Sequence, residues 1–187
     1  PFQGRPVDCV PETIRRSGAV PQVKIRPVEP RDLEWVRAEL TRNWGRPQIW
    51  SINRMFDADA LPGFIAEPDG GPVGLVTYSL RENVQPGECE VVTLSVQEEG
   101  RGIGHALLAA TVTAAAMAGC HRIFLTTTND NLRALGFYQR RGWVLVDLHR
   151  GVIDRLRERY PDIPSVGMNG IRCRDEIELE LPKEEWP

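Results

Sequence analysis

Apolar and polar positions alternate along some stretches of the chain and fall at helical spacing along others, and the two patterns take turns. Val23-Lys24-Ile25-Arg26-Pro27-Val28 alternates, as a half-buried strand does. Asp32 follows as a candidate helix cap, and Leu33, Val36 and Leu40 carry a helical period over Leu33 to Asn43. The aromatic segment Trp44 to Asp59 shows neither period and reads as a loop or short helix over a cleft. Gly63 to Glu67 and Gly74 to Leu80 read as strands joined by the turn Pro68-Asp69-Gly70-Gly71, and Gln85-Pro86-Gly87 marks another turn. Glu90 to Val96 is β-branched and apolar, the pattern of a buried strand. A glycine-rich turn leads into a helix from Ile103 to Ala118, ended by Gly119. The pattern then predicts a strand over Arg122 to Thr127, a helix over Asn131 to Arg141 and a strand over Trp143 to Leu148. A short helix over Val152 to Tyr160 and a last strand over Glu176 to Leu181 complete it. The acids that alternate in that last strand read as a mostly solvated face.

This mixture of strands and helices predicts one α/β domain over residues 22–187, preceded by a Pro-containing arm over residues 1–21. With 41% hydrophobic and 26% charged residues, the composition is that of a soluble globular protein. No apolar run approaches the roughly 18 residues of a membrane span, so no membrane partner is expected. The start shows no basic segment followed by an apolar block, so no secretory signal is read there and a cytoplasmic location is expected. A formal net charge of −3 excludes a general nucleic-acid binder, which needs a basic field. Cys9, Cys89, Cys120 and Cys173 are scattered and form no C-x-x-C pair, so reduced thiols are expected, with no metal site.

Candidate chemistry concentrates in Val96-Gln97-Glu98-Glu99-Gly100-Arg101-Gly102-Ile103-Gly104-His105, which joins an apolar strand to an apolar helix. Glycine permits a tight turn and close backbone approach to a ligand. The first amides of the helix have no acceptors within it and favour an anion, and Arg101 adds a full positive charge. The segment therefore predicts a pyrophosphate site. Its G-x-G-x-G spacing differs from the dinucleotide G-x-G-x-x-G, and the Gly-Lys-Ser/Thr of a Walker loop is absent.

The turn is similar to the acyl-CoA loop of the GNAT N-acetyltransferase superfamily, Gln/Arg-x-x-Gly-x-Gly/Ala, with Gly102 and Gly104 at the small positions and Glu99 departing from the first. Downstream, Asn131, Ala134, Phe137, Tyr138, Gly142 and Trp143 fill the second GNAT pattern, N-x-x-A-x-x-F-Y-x-x-x-G-F/W. The resemblance covers roughly residues 23–181. It implies a central mixed, mostly antiparallel sheet with helices on both faces. The parallel strands Glu90–Val96 and Arg122–Thr127 would splay apart to admit a pantetheine arm. It further implies acetyl-CoA as co-substrate, held by the backbone at Leu94 and Val96, by Gly100, Arg101, Gly102, Ile103 and Gly104, and by Asn131, which also caps its helix.

The same resemblance makes Tyr138 the acid that protonates the leaving thiolate, against a plain core tyrosine, and Glu90 the general base, against a strand-end glutamate reaching water. By alternation Glu90 would share a face with Val92, Leu94 and Val96. His105 reads either as a phosphate contact or as a solvated histidine, and Arg140 and Arg141 as nucleotide contacts or exposed helix-end arginines. Trp44, Trp50 and Phe56 are candidate walls of an acceptor pocket, with Asn129 and Asp130 at its rim. The expected activity is acetyl transfer to a primary amine, carried by a small molecule or a peptide. A non-catalytic acyl-CoA-binding or sensing module is the alternative. Many relatives pair as dimers, so the resemblance leaves a homodimer open, and the sequence does not fix the oligomeric state.

Overall fold

A computed structural model describes residues 23–80 and 87–186; the arm and most of the Gln85–Gly87 turn lie outside the described residues. The chain runs β1 (Lys24–Pro27), α1 (Leu33–Trp44), β2 (Gln48–Ser51), β3 (Arg54–Asp57), β4 (Gly63–Glu67), β5 (Gly74–Leu80) and β6 (Glu88–Val96). It continues through α2 (Ile103–Met117), β7 (Arg122–Thr128), α3 (Leu132–Gln139), β8 (Val144–His149), α4 (Val152–Arg159) and β9 (Glu176–Glu180). Seven strands form one sheet in the order β1-β4-β5-β6-β7-β9-β8, and β2 and β3 form a separate hairpin. The β6–β7 pair is parallel and the other neighbours are antiparallel, as the sequence predicts. A parallel pair needs a long crossover, and α2 supplies it.

One face of the sheet buries Val76, Cys89, Val91, Ile123, Leu125 and Leu179 against Ile103, Leu107, Leu108 and Val112 of α2. The other face packs Ile65 and Leu75 against Val36 and Leu40 of α1. Helices thus cover both faces, and each apolar strand residue falls on one side or the other by the two-residue period. A third cluster joins Val152, Ile153 and Leu156 of α4 to Cys173 and to Trp50 of the hairpin. Cys89, Cys120 and Cys173 are buried and form no disulfide among the described residues.

Four expectations are corrected. The segment read as irregular between Trp44 and Asp59 contains the β2–β3 hairpin, paired Gln48↔Asp57 to Ser51↔Arg54. Its two-residue turn is Ile52-Asn53, with φ 46° and 62°. Such turns favour Asn-Gly, so a turn led by isoleucine gives no sequence signal.

Glu90 does not share a face with Leu94 and Val96. The β5–β6 register jumps between Thr77↔Thr93 and Tyr78↔Val91, which leaves Val92 as an extra residue and inverts the alternation beyond it. Val92 accordingly packs on the α1 side, while Leu94 and Val96 pack on the α2 side.

The acids of β9 are not solvated. Glu176 and Glu178 are 3% and 6% exposed. They gather with Glu88 and Glu90 of β6 around Arg122, Ser51 and Ile52. Asp32, read as a cap, turns its carboxylate back to the Glu29 amide (2.8 Å) and to Arg26 (2.6 and 2.8 Å).

Candidate active site

The site begins where two strands part. Parallel pairing of β6 and β7 runs from Glu88↔Arg122 to Val91↔Leu125 and stops. Beyond it β6 stays bound to β5 as far as Val96, and β7 stays bound to β9 as far as Thr128. The facing edges Val92–Leu94 and Thr126–Thr128 therefore open into a cleft of about 400 Å3. Backbone groups on such an edge are available to a ligand that lies between the strands.

Beyond the open edge of β6 the chain enters the glycine turn before α2, which does not itself line the cleft. Gly102 precedes α2 with φ 77°, ψ −1°, a left-handed conformation that a Cβ strains. Gly104 has no such dihedral; a Cβ there would meet Phe137 Cζ at 3.1 Å, so its smallness lets α2 approach α3. The turn and α3 are drawn together, and the Glu99 carboxylate, which departs from the acyl-CoA pattern, pairs with Arg133 of α3. Arg101 pairs with Glu98. Ile103 buries its side chain, so only its main chain faces the turn.

Asn131 accepts a hydrogen bond from the Ala134 amide at 3.1 Å, which caps α3, and it also lines the cleft. Capping at this position fixes the start of the helix, and one turn later Ala134 and Tyr138 present the same face to the cleft. Tyr138 is wedged against Phe137 (5.2 Å between ring centroids) and Trp143 (5.8 Å). Burial pushes its phenol well above the usual tyrosine range, so at neutral pH it stays protonated and able to donate.

The far wall comes from the hairpin, which the sequence did not reveal, and from α4, which it did. The hairpin contributes Gln48, Ile49, Trp50 and Ser51; α4 and the segment after it contribute Ile153, Leu156, Tyr160 and Ile163. Trp50 packs on Tyr160 at 5.5 Å. Trp44, at the end of α1, also lines the cleft and is 39% exposed.

At the floor, Ser51 Oγ donates to Glu90 Oε1 at 2.5 Å and lies 2.9 Å from Thr126 Oγ1. Glu176 Oε2 accepts the Ile52 amide at 2.8 Å. Ser51, Thr126 and Glu176 line the cleft, with Glu90, 1% exposed, behind the Ser51 hydroxyl. Burial raises the Glu176 carboxyl above its ordinary value, and the neighbouring Glu90 charge adds to the rise. The Ile52 amide and His149 pull the other way.

The fold thus brings Glu90, Leu94, Asn131, Tyr138 and Trp44 around one cleft, while the glycine turn follows the end of β6 outside the cleft lining. Val96 lies in the α2-side packing beside Phe137, and His105 is exposed along a separate groove with Arg141 and Trp186. Arg141 stacks on Phe137 at 3.8 Å and donates to its carbonyl at 2.8 Å. Phe56 is buried under Arg54 as a plug.

Asn129, expected at the acceptor rim, spends its side chain on the 172–175 segment. It donates to the Arg172 carbonyl at 2.9 Å and accepts the Arg174 and Asp175 amides at 3.0 Å each. Asp130 is buried and accepts the Met168 amide at 2.7 Å. Ser51, Thr126 and Glu176 were missed by sequence reasoning. A lone serine or threonine carries no signal, and Glu176 was hidden in a run that resembles a wet strand face.

The family model described as the acetyltransferase (GNAT) family matches residues 31–143. The uncharacterised protein YdhI of Bacillus subtilis is 38% identical over 73% of this chain and 83% of its own length. A second uncharacterised protein of the same organism, YxbD, is 37% identical over 80% of this chain and 91% of its own.

Among solved structures, the putative acetyltransferase yncA of Salmonella typhimurium, with acetyl-CoA, superposes with a TM-score of 0.62 at 16% identity, covering 85% of this chain and 92% of that one. A Bacillus subtilis acetyltransferase in complex with CoA gives 0.61 at 19% identity, covering 86% and 98%. At that identity these two show the shared fold. With the family model matched over most of the domain and relatives well above 30% identity, the chain belongs to the GNAT family of acetyltransferases.

Proposed function

We propose that this protein is an N-acetyltransferase that moves the acetyl group of acetyl-CoA directly onto a primary amine bound in the same cleft. The observation that carries this reading is the end of β6–β7 pairing at Val91↔Leu125, with Tyr138 on the wall of the gap that follows. Solved structures of the same fold hold CoA or acetyl-CoA, which supports the same co-substrate here.

The residues present fit that molecule. The turn from Gly100 to Gly104 offers backbone amides at the start of α2 for its diphosphate. The open β6 edge at Leu94 offers main-chain partners for its amide-bearing arm. Bound there, the co-substrate supplies an activated acetyl thioester.

Both reactants held in one cleft convert a bimolecular encounter into a positioned one. Tyr138, kept protonated by burial, donates its proton to the departing thiolate. Glu90 serves as base through the Ser51 hydroxyl, which stands between its carboxylate and the cleft. Trp44, Trp50, Ile153, Leu156 and Tyr160 suit an acceptor whose amine is attached to an apolar body.

The test has two stages. Acetyl-CoA should raise the melting temperature by mass action, and NAD and ATP should not. A panel of primary amines assayed for thiol release should then contain acceptors, with amines on apolar bodies ahead of strongly hydrophilic ones. A protein that binds acetyl-CoA yet releases no thiol with any amine refutes turnover and leaves a binding module.

A further inference from the structure

Acids crowd one face of the sheet, and they divide into two sets. Glu88, Glu178 and Glu180 all bond to Arg122, the last at 2.8 Å, and His149 adds a 2.8 Å contact to Glu178. Glu90 and Glu176 lie farther along the strands, where β6 and β7 part. There the Ser51 hydroxyl donates to Glu90 and the Ile52 N–H donates to Glu176. Both partners sit on the hairpin tip. Ile52 is held at φ 46°, a left-handed conformation that a β-branched residue seldom adopts, and this conformation aims its amide at Glu176. Glu176 lines the cleft, whereas Glu90 reaches it through Ser51.

Acetylation of an amine must dispose of two protons. An alkylamine arrives as an ammonium and must lose one before it can attack. It loses a second once the N–C bond has formed. One carboxylate cannot take both without releasing the first.

We propose that Glu176 is a further catalytic residue, the carboxylate that removes the first proton from the incoming ammonium, while Glu90 takes the second through Ser51. This rests on the acetyl-transfer reading above. The balance is complete: the ammonium gives one proton to Glu176, and its freed lone pair forms the N–C bond. The C–S bond breaks with its electrons on sulfur, and Tyr138 protonates the thiolate. The second N–H proton passes by Ser51 to Glu90. Of the two protons gathered by the carboxylates, one restores Tyr138 and the other leaves to solvent.

The groups that face Glu176 suit the task. Thr128 of β7 and His149 of β8 are its cross-strand neighbours, Glu90 lies on β6, and Ile52 caps it from the hairpin. Burial and the Glu90 charge raise its proton affinity, with His149 and the Ile52 amide as a partial counterweight, which makes the ionised form a stronger base than an exposed glutamate.

The test compares ethylamine with trifluoroethylamine, which is nearly isosteric and far less basic, so that it is largely neutral near neutral pH. Glu176→Gln should lower kcat/KM for ethylamine by about 100-fold, the scale of a lost general base, and for trifluoroethylamine by only about threefold. Raising the pH should recover the ethylamine rate as the free amine accumulates. Glu90→Gln and Ser51→Ala should slow both amines alike. An unchanged melting-temperature rise with acetyl-CoA confirms that each variant is folded. Should Glu176→Gln fail that check, Glu176→Asp, which withdraws the carboxylate by one methylene, should show the same selectivity with a smaller loss. Equal losses on both amines, or no loss, overturn the role of Glu176 and leave acetyl transfer standing. A wild-type protein that acetylates no amine of the whole panel overturns both proposals.

Discussion

Two ends of the same sheet face handle buried negative charge in opposite ways. At the lower end Arg122 gathers Glu88, Glu178 and Glu180, and its guanidinium also stacks on Phe124 at 4.4 Å. Burial works against the charge of Arg122, and the hydrogen bonds it donates to the three carboxylates outweigh it, so its pKa lies above the ordinary value. At the upper end Glu176 is buried just as deeply, yet it lines the cleft and accepts the amide of a strained hairpin turn. A fixed cation favours the ionised acid and makes it a structural brace. Burial beside an amide instead raises the proton affinity of Glu176 and suits it to take up and release a proton. The pairing of β6 with β7 at one end and the splay at the other separate the two uses.

That contrast can be broken most forcefully at its braced end. Arg122→Ala leaves three carboxylates without their cation, and stability should fall by about 3–5 kcal/mol, the usual cost of stranding buried charge. Urea denaturation measures it, and a loss below about 1 kcal/mol would mean that the acids find water instead.

At the cleft end the largest effect should be on rate. Tyr138→Phe keeps the ring packing against Phe137 and Trp143 but removes the proton donor. Turnover should fall by about 100-fold or more with acetyl-CoA affinity nearly unchanged. Equal turnover at saturating amine would return Tyr138 to the core.

The two kinds of acid should also differ in how stability follows pH. Glu176 has a native pKa above its ordinary 4.5, so the native state keeps this proton longer than the unfolded chain. Its contribution is whole below the unfolded value and is lost as pH rises through the native one. Asp32, held by Arg26, is shifted below its ordinary 3.8, so its contribution is present above that value and is lost as pH falls through the native one. Glu176→Gln should therefore flatten the decline in urea midpoint above about pH 4.5, and Asp32→Asn should flatten the decline on the acid side. A Glu176→Gln profile that parallels wild type would show that the carboxylate is paired as fully as those at Arg122.

The smallest effect concerns the hairpin tip. Glycine adopts the dihedrals of Ile52 without a Cβ clash, so Ile52→Gly should change stability by less than about 1 kcal/mol despite the lost side chain. A larger loss would place the strength of the turn in the isoleucine side chain.

What was legible in the sequence is what neighbours along the chain decide. Alternation marked most strands, spacing marked the helices, and two glycine- and aromatic-containing patterns identified the turn before α2 and the cleft face of α3. These signals are local because backbone conformation and capping depend on residues within a few positions. The face assignment of β6 failed at a single extra residue, Val92, whose bulge is set by pairing with β5. The hairpin escaped because Ile52-Asn53 lacks the glycine that such turns usually show.

The sequence by itself determined the order of the elements outside the hairpin, the glycine turn that opens α2, the cap at Asn131 and the family of the fold. Only the tertiary structure decided which acids are braces and which face the cleft. Glu88, Arg122 and Glu178 come from three strands, and Ser51, Glu90 and Glu176 from three distant segments. Whether a carboxylate is solvated, neutralised by a cation or held ready for a proton depends on charges and dipoles a few ångströms away in space, and Coulomb interactions take no account of separation along the chain.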